Sequence, residues 1–117
     1  MNDICSTNCK TAQLIAANRK KISRYKNFSK AVVFYKLLGN QTRQKILLIL
    51  IKSELCVCDI AESINLSVPA TSQQLKMLKQ AGILVQRNTG KMVYYSFANL
   101  EVEGVITSLL SNIIEKI

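Results

Sequence analysis

The chain carries four cysteines in two distant pairs, Cys5 and Cys9 in "CSTNCK" and Cys56 and Cys58 in "ELCVCD". Thiolates are soft donors, and four of them make a roughly tetrahedral site suited to Cd²⁺, Pb²⁺ or Zn²⁺. Lead, whose lone pair takes up space, would use three of the four. The Cys-x₃-Cys pair would share one face of a helix, or wrap an ion from an extended arm. Inside a regular helix Cys56 and Cys58 would point about 200° apart, so both reach one ion only if the box begins before its helix does. Four readings stand at this point: a metal-sensing site, a structural zinc site, a thiol redox or arsenite switch, and reduced cysteines serving as small hydrophobes.

What surrounds the cysteines narrows the chemistry. Histidine is absent, which removes imidazole-activated nucleophiles and histidine-ligated metal centres. The four glycines are isolated, so no Gly-rich phosphate loop forms. An enzyme is not expected, and no small organic substrate is indicated. At 117 residues and 49% apolar, the chain suits one domain able to bury a core without disulfides. It shows neither an uninterrupted apolar run long enough for a bilayer nor a basic region leading an apolar one, so a cytoplasmic protein is expected. In that compartment paired cysteines favour metal or redox roles over disulfides.

The net charge of +9 is concentrated in the first 52 residues, where eleven Lys/Arg face only Asp3. Such a balance suggests nucleic acid or another anionic surface. Residues 1–29 read as a basic arm with a helix from about Lys10 to Ile22, and residues 30–117 as the folded domain. In that domain a helix over Lys30–Leu38 stops at Gly39. A central helix follows, capped by Asn40 or Thr42 and carrying Ile46, Leu47, Ile49, Leu50 and Ile51. The box leads into a helix over Val57–Ile64 that buries Ile60, Ala61 and Ile64. After the turn "NLS", Ser67 caps a further helix with Pro69 in its first turn. Leu75, Leu78 and Ala81 face inward, and Ala70, Thr71, Gln73, Gln74 and Lys76 outward. The period then changes to a β-hairpin, Ile83–Arg87 and Met92–Phe97, turning at "NTGK". An amphipathic helix over Leu100–Ile117 has an apolar stripe wide enough for a dimer seam.

Helix, short turn, second helix with a polar face, then hairpin is the order of a winged helix-turn-helix, mainly α with a β-hairpin wing. A helix entering the major groove reads bases with short polar side chains near its N-terminus, here Ser67, Ala70, Thr71, Ser72, Gln73 and Gln74. Lys76 and Lys79 suit phosphates, and Arg87, Asn88 and Lys91 flank the hairpin tip. An RNA reader would need more exposed aromatics than Tyr94 and Tyr95.

The stretches "LLGNQTRQKILLIL", "ELCVCDIAESINLSVPATSQQLKMLKQAGIL" and "RNTGKMVYYSF" resemble the ArsR/SmtB family of metal-responsive repressors over roughly residues 30–117. The resemblance implies a homodimer joined through its terminal helices. It would hold double-stranded operator DNA and release it when a metal binds, derepressing resistance or efflux genes. It also favours a cysteine site shared between two subunits. Two departures stand out: Gln74 replaces a histidine frequent in the family's recognition helix, and Asn99, Glu101, Asn112 and Glu115 occupy the places of its terminal-helix zinc ligands. That second zinc site is therefore expected to be missing or weak.

Overall fold

The computed structural model describes residues 11–114. Its elements are α1 (Ala12–Ser23), α2 (Phe28–Leu38), α3 (Gln41–Leu50), β1 (Leu55–Cys56), α4 (Val57–Ser63), α5 (Val68–Gln80), β2 (Leu84–Thr89), β3 (Met92–Phe97) and α6 (Leu100–Ile113). The chain divides into two compact units, residues 1–32 and 33–117, with the division falling inside α2. In the first unit α1 buries none of its residues and ends on Lys20 and Lys21, cations that suit the negative end of a helix.

The second unit folds around α3. Asn40 rather than Thr42 is its cap: the Asn40 Oδ1 accepts the Arg43 N–H at 3.0 Å. Ile46, Leu47 and Leu50 recur at helical spacing and are fully buried, whereas Leu48 on the opposite side is exposed. The core adds Ile60 from α4, Leu75 and Leu78 from α5, Ile83, Leu84, Tyr95 and Phe97 from the hairpin, and Ile106 and Leu110 from α6. Four expected inward positions differ. Ile64 is half-buried, Ile49 and Ile51 lie at the margin, and Ala81, already in the C-cap, is exposed.

Three tight connections fix the register of the site. After α3, Lys52 takes a left-handed φ of 57° and its backbone N–H is held by the Glu103 carboxylate of α6. Between α4 and α5, Asn65 takes a left-handed φ of 58°, and the Leu66 N–H returns to the Ala61 carbonyl at 2.9 Å. At the wing, Gly90 (φ 59°) and Lys91 form a two-residue turn closed by the Thr89–Met92 pair. A positive φ at the first turn residue matches the right-handed twist of the flanking strands. The hairpin thus runs two residues further on its first strand than Ile83–Arg87, because Asn88 and Thr89 still pair with β3.

The sheet has a third strand that the sequence pattern does not announce. Leu55 and Cys56 pair antiparallel with Tyr95 and Tyr94, giving the order β1-β3-β2. Two residues are too few for an alternation to register.

Thr71 corrects the expected outward face of α5. It is 0% exposed, and its Oγ1 finds no hydrogen-bond partner among the described residues. With Leu75 and Leu78 it stands at i, i+4 and i+7, the spacing of one helix face, so it belongs to the buried stripe. A buried hydroxyl without a partner costs about 1–3 kcal/mol. Thr71→Val keeps the shape and removes that cost. Urea denaturation is expected to show the variant about 1 kcal/mol more stable than the parent; a loss of similar size would mean that the hydroxyl is bonded in solution.

Candidate functional site

The cysteine box sits where a strand becomes a helix. Cys56 is extended (φ −78°, ψ 158°) and serves as the N-cap position of α4, while Cys58 lies in that helix's first turn. The box therefore begins before the helix, as a shared ion would require. Cys56 is buried and Cys58 exposed, and both line one cavity of about 230 Å³ together with Val68 and Ser72 of α5 and Lys91 and Met92 of the wing. The donor chemistry fits a soft ion, with two cysteines lining one space. It is half a site: among the described residues no group of three or more Cys, Asp or Glu side chains gathers at one point. The expected partners, Cys5 and Cys9, lie outside the described residues.

The second helix of the helix-turn-helix, α5, is capped as its sequence indicates. The Ser67 Oγ accepts the Ala70 N–H at 3.2 Å, and Pro69 falls in the first turn. Pro69, Gln73, Lys76 and Gln80 are exposed at positions spaced four, three and four apart, so they form one solvent stripe. Ala70 and Ser72 are half-buried. Gln74 is half-buried too, and its Oε1 accepts the Arg43 Nε–H at 2.8 Å. Arg43 also donates to the Leu37 carbonyl at 3.3 Å and lies 3.5 Å from the Met77 Sδ, tying α2 and α3 to α5. Its importance had one signal in the sequence: residues 43, 47 and 50 share a helical face, and two of them are core leucines.

The wing residues are less available than a hairpin tip suggests. Arg87 makes a forked pair with Glu54, with contacts of 2.7–3.2 Å, and donates to the Thr89 Oγ1 at 2.6 Å. Its guanidinium also stacks 4.8 Å from the Tyr94 ring centroid. Lys79 reaches across to the Gln86 Oε1 at 3.2 Å, and Gln86 in turn donates to the Asn88 Oδ1 at 2.8 Å. Lys91 is exposed at the turn and borders the cysteine cavity. At the far end of the unit, the Asn99 side chain caps α6 by accepting the Val102 N–H at 2.8 Å. Glu101 is exposed in the first turn and Asn112 is exposed near the end, while Glu115 is outside the described residues.

With this geometry in view, likeness to known proteins is informative. Residues 40–85 match the bacterial regulatory protein arsR family. The chain is 39% identical over 104 residues to the cadmium resistance transcriptional regulatory protein CadC of Listeria innocua, covering 86% of this chain and 85% of that one. It is 34% identical over 105 residues to the CadC homolog of Staphylococcus aureus, covering 89% and 86%. Among solved structures, HlyU of Vibrio cholerae superimposes with a TM-score of 0.70 at 33% identity, over 77% of this chain and 98% of that one. The fold is a winged helix-turn-helix of the regulatory type. The chain belongs to the arsR family of bacterial regulatory proteins, whose members similar to it are transcriptional regulators and not enzymes.

The Arg87–Glu54 pair fastens the residue before the box to the wing. Its hydrogen bond and charge hold the Glu54 carboxyl below its ordinary value of 4.5, and the same contacts raise Arg87. A depressed carboxylate contributes stability above its unfolded pKa and loses it as pH falls through the folded one. Both groups are solvent-exposed, so the effect on global stability is small. Carboxyl-detected NMR is expected to show Glu54 titrating below the ordinary glutamate range in the parent and back within it in Arg87→Gln. Equal midpoints in both would mean that the pair does not persist in solution.

Proposed function

We propose that this chain is a metal-responsive transcriptional repressor that grips operator DNA as a homodimer and lets go when a soft metal ion binds its cysteines. The observation that carries the reading is the shared cavity: both cysteines of the box line one space with the N-terminal part of α5 and the wing, the two parts of the fold suited to DNA. The likeness to cadmium-resistance regulators supports the metal class. Cys56 and Cys58 supply two thiolates and Cys5 and Cys9 the other two, from the basic arm of residues 1–29. Cd²⁺ or Pb²⁺ is the inducer, with Zn²⁺ as a further candidate. The arm of one subunit meets the box of the other.

In this reading α5 enters the major groove and presents Gln73 to base edges, with Lys76 directed to phosphates. Ser67, Ala70 and Ser72 border the groove as the cap and first turn. Gln74, Lys79, Arg87 and Asn88 act with their protein partners in place, and Thr71 acts only as core. Drawing the arm onto the box shifts the wing and α5 together, because β1 is hydrogen-bonded into the wing sheet. A coupling of about 1–3 kcal/mol per site is enough to lower operator occupancy.

The dimer forms through α6. Its Val105, Leu109 and Ile113 recur every four residues and are 54%, 37% and 77% exposed, an apolar face that a lone subunit would leave in water. The same helix borders an apolar groove reaching Leu38 and Tyr35. Ile113→Glu is expected to give a monomer in sedimentation and to abolish tight operator binding. A dimer that survives the substitution would move the interface elsewhere.

Operator titrations with and without one equivalent of Cd²⁺ test the sensing claim. The parent is expected to lose at least about fivefold in affinity, the lower end of such couplings, and Cys58→Ser to bind operator normally and ignore the ion. Metal-insensitive binding by the parent would overturn the mechanism, and an unchanged response in Cys58→Ser would overturn the site.

A further inference from the structure

The register of the wing sheet brings a third sulfur to the box. Cys56 stands opposite Tyr94 on β3. The strands are antiparallel, so one step further along the box faces Val93 and two steps further faces Met92. Had β1 continued, Cys58 would sit across from Met92; instead the chain turns into α4 at that point. Cys56 and Met92 remain diagonal neighbours on one sheet face, a separation of roughly 7–8 Å between backbones that a long side chain spans. The cavity shows the result: Cys56, Cys58 and Met92 line one space, with Lys91 at its edge.

The geometry points to a second, arm-independent mode of metal binding, in which Cys56, Cys58 and Met92 of a single subunit hold a soft monovalent cation, Cu(I). Two thiolates and a thioether are a donor set that selects Cu(I). Met92 is exposed, unbranched and able to swing toward the sulfurs. Two thiolates around one monovalent cation sum to −1, which the Lys91 ammonium at the same cavity offsets. A divalent ion requiring four thiolates has no comparable set here and must recruit the arm. This inference rests on the proposed metal role of Cys56 and Cys58 but not on that of Cys5 and Cys9. The wing would supply a ligand directly, so occupancy by Cu(I) would act on the DNA-binding hairpin without the arm.

The test uses the full chain under anaerobic, reducing conditions. Cu(I) affinity is measured by competition with a chromophoric Cu(I) chelator, and Cd²⁺ affinity by thiolate-to-metal absorption. The proteins compared are the parent, Met92→Leu and the Cys5→Ser/Cys9→Ser double variant. Met92→Leu is expected to weaken Cu(I) by about tenfold, at the lower end of what loss of a supporting group costs a site, and to leave Cd²⁺ unchanged. The double variant is expected to keep Cu(I) and lose tight Cd²⁺ binding. X-ray absorption of the Cu(I) form should count three sulfur neighbours in the parent and two in Met92→Leu. Unchanged Cu(I) affinity and sulfur count in Met92→Leu would overturn the proposal, as would loss of Cu(I) in the double variant. If the double variant instead keeps Cd²⁺ while Met92→Leu weakens Cu(I), the four-thiolate reading falls and this one stands.

Discussion

Two backbone pairs, Leu55 with Tyr95 and Cys56 with Tyr94, hold the rest of the site together. They make the cysteine box the outer strand of the wing sheet and keep Cys56 extended at the point where α4 begins. Without them Cys56 and Cys58 would sit on opposite sides of a helix, and no single ion could reach both. With them the two thiols share a cavity with the wing turn and the first turn of α5. The Arg87–Glu54 fork, stacked on Tyr94, reinforces the junction from the solvent side. On the core side Tyr95 is buried, with its hydroxyl on Gln86 at 3.2 Å.

The consequence is mechanical. A sensor needs its ligand site joined to its effector surface by an element that moves as a piece. Here the joint is one sheet, and Arg43 adds a second tie from α2 and α3 to Gln74 and Met77 of α5. The polar side chains around α5 and the wing are largely committed to each other. Lys79 meets Gln86, Gln86 meets Asn88, and Arg87 meets Glu54. Such a surface presents DNA with a preset shape, and displacing one part disturbs the others.

Most of the fold was legible because its signals are strong and local. Asn40 and Ser67 cap α3 and α5, and each accepts the expected backbone N–H. Gly90 marks the hairpin turn, and the spacing of Leu75 and Leu78 marks the inner face of α5. The site was less legible because it depends on pairings between distant residues. A two-residue strand has no periodicity, so β1 was invisible, and with it the neighbourhood of Cys56, Tyr94 and Met92. The hydroxyl of Thr71 suggests a polar, outward position, although its spacing from Leu75 and Leu78 places it inward. Arg87 looked free at a hairpin tip because its partner Glu54 lies 33 residues earlier. Side-chain type indicates what a residue can do, and only the fold shows whether a neighbour has already engaged it.

The central claim is that an ion held by the box is felt through the wing sheet at the DNA-reading elements. Amide hydrogen exchange of the full-length protein, with and without one equivalent of Cd²⁺, tests it most directly. The account predicts altered protection at Cys56 and Cys58, in Met92–Tyr94 of the wing and in Val68–Ser72 of α5. A change confined to the cysteines and the arm, with the wing and α5 exchanging as before, would contradict it.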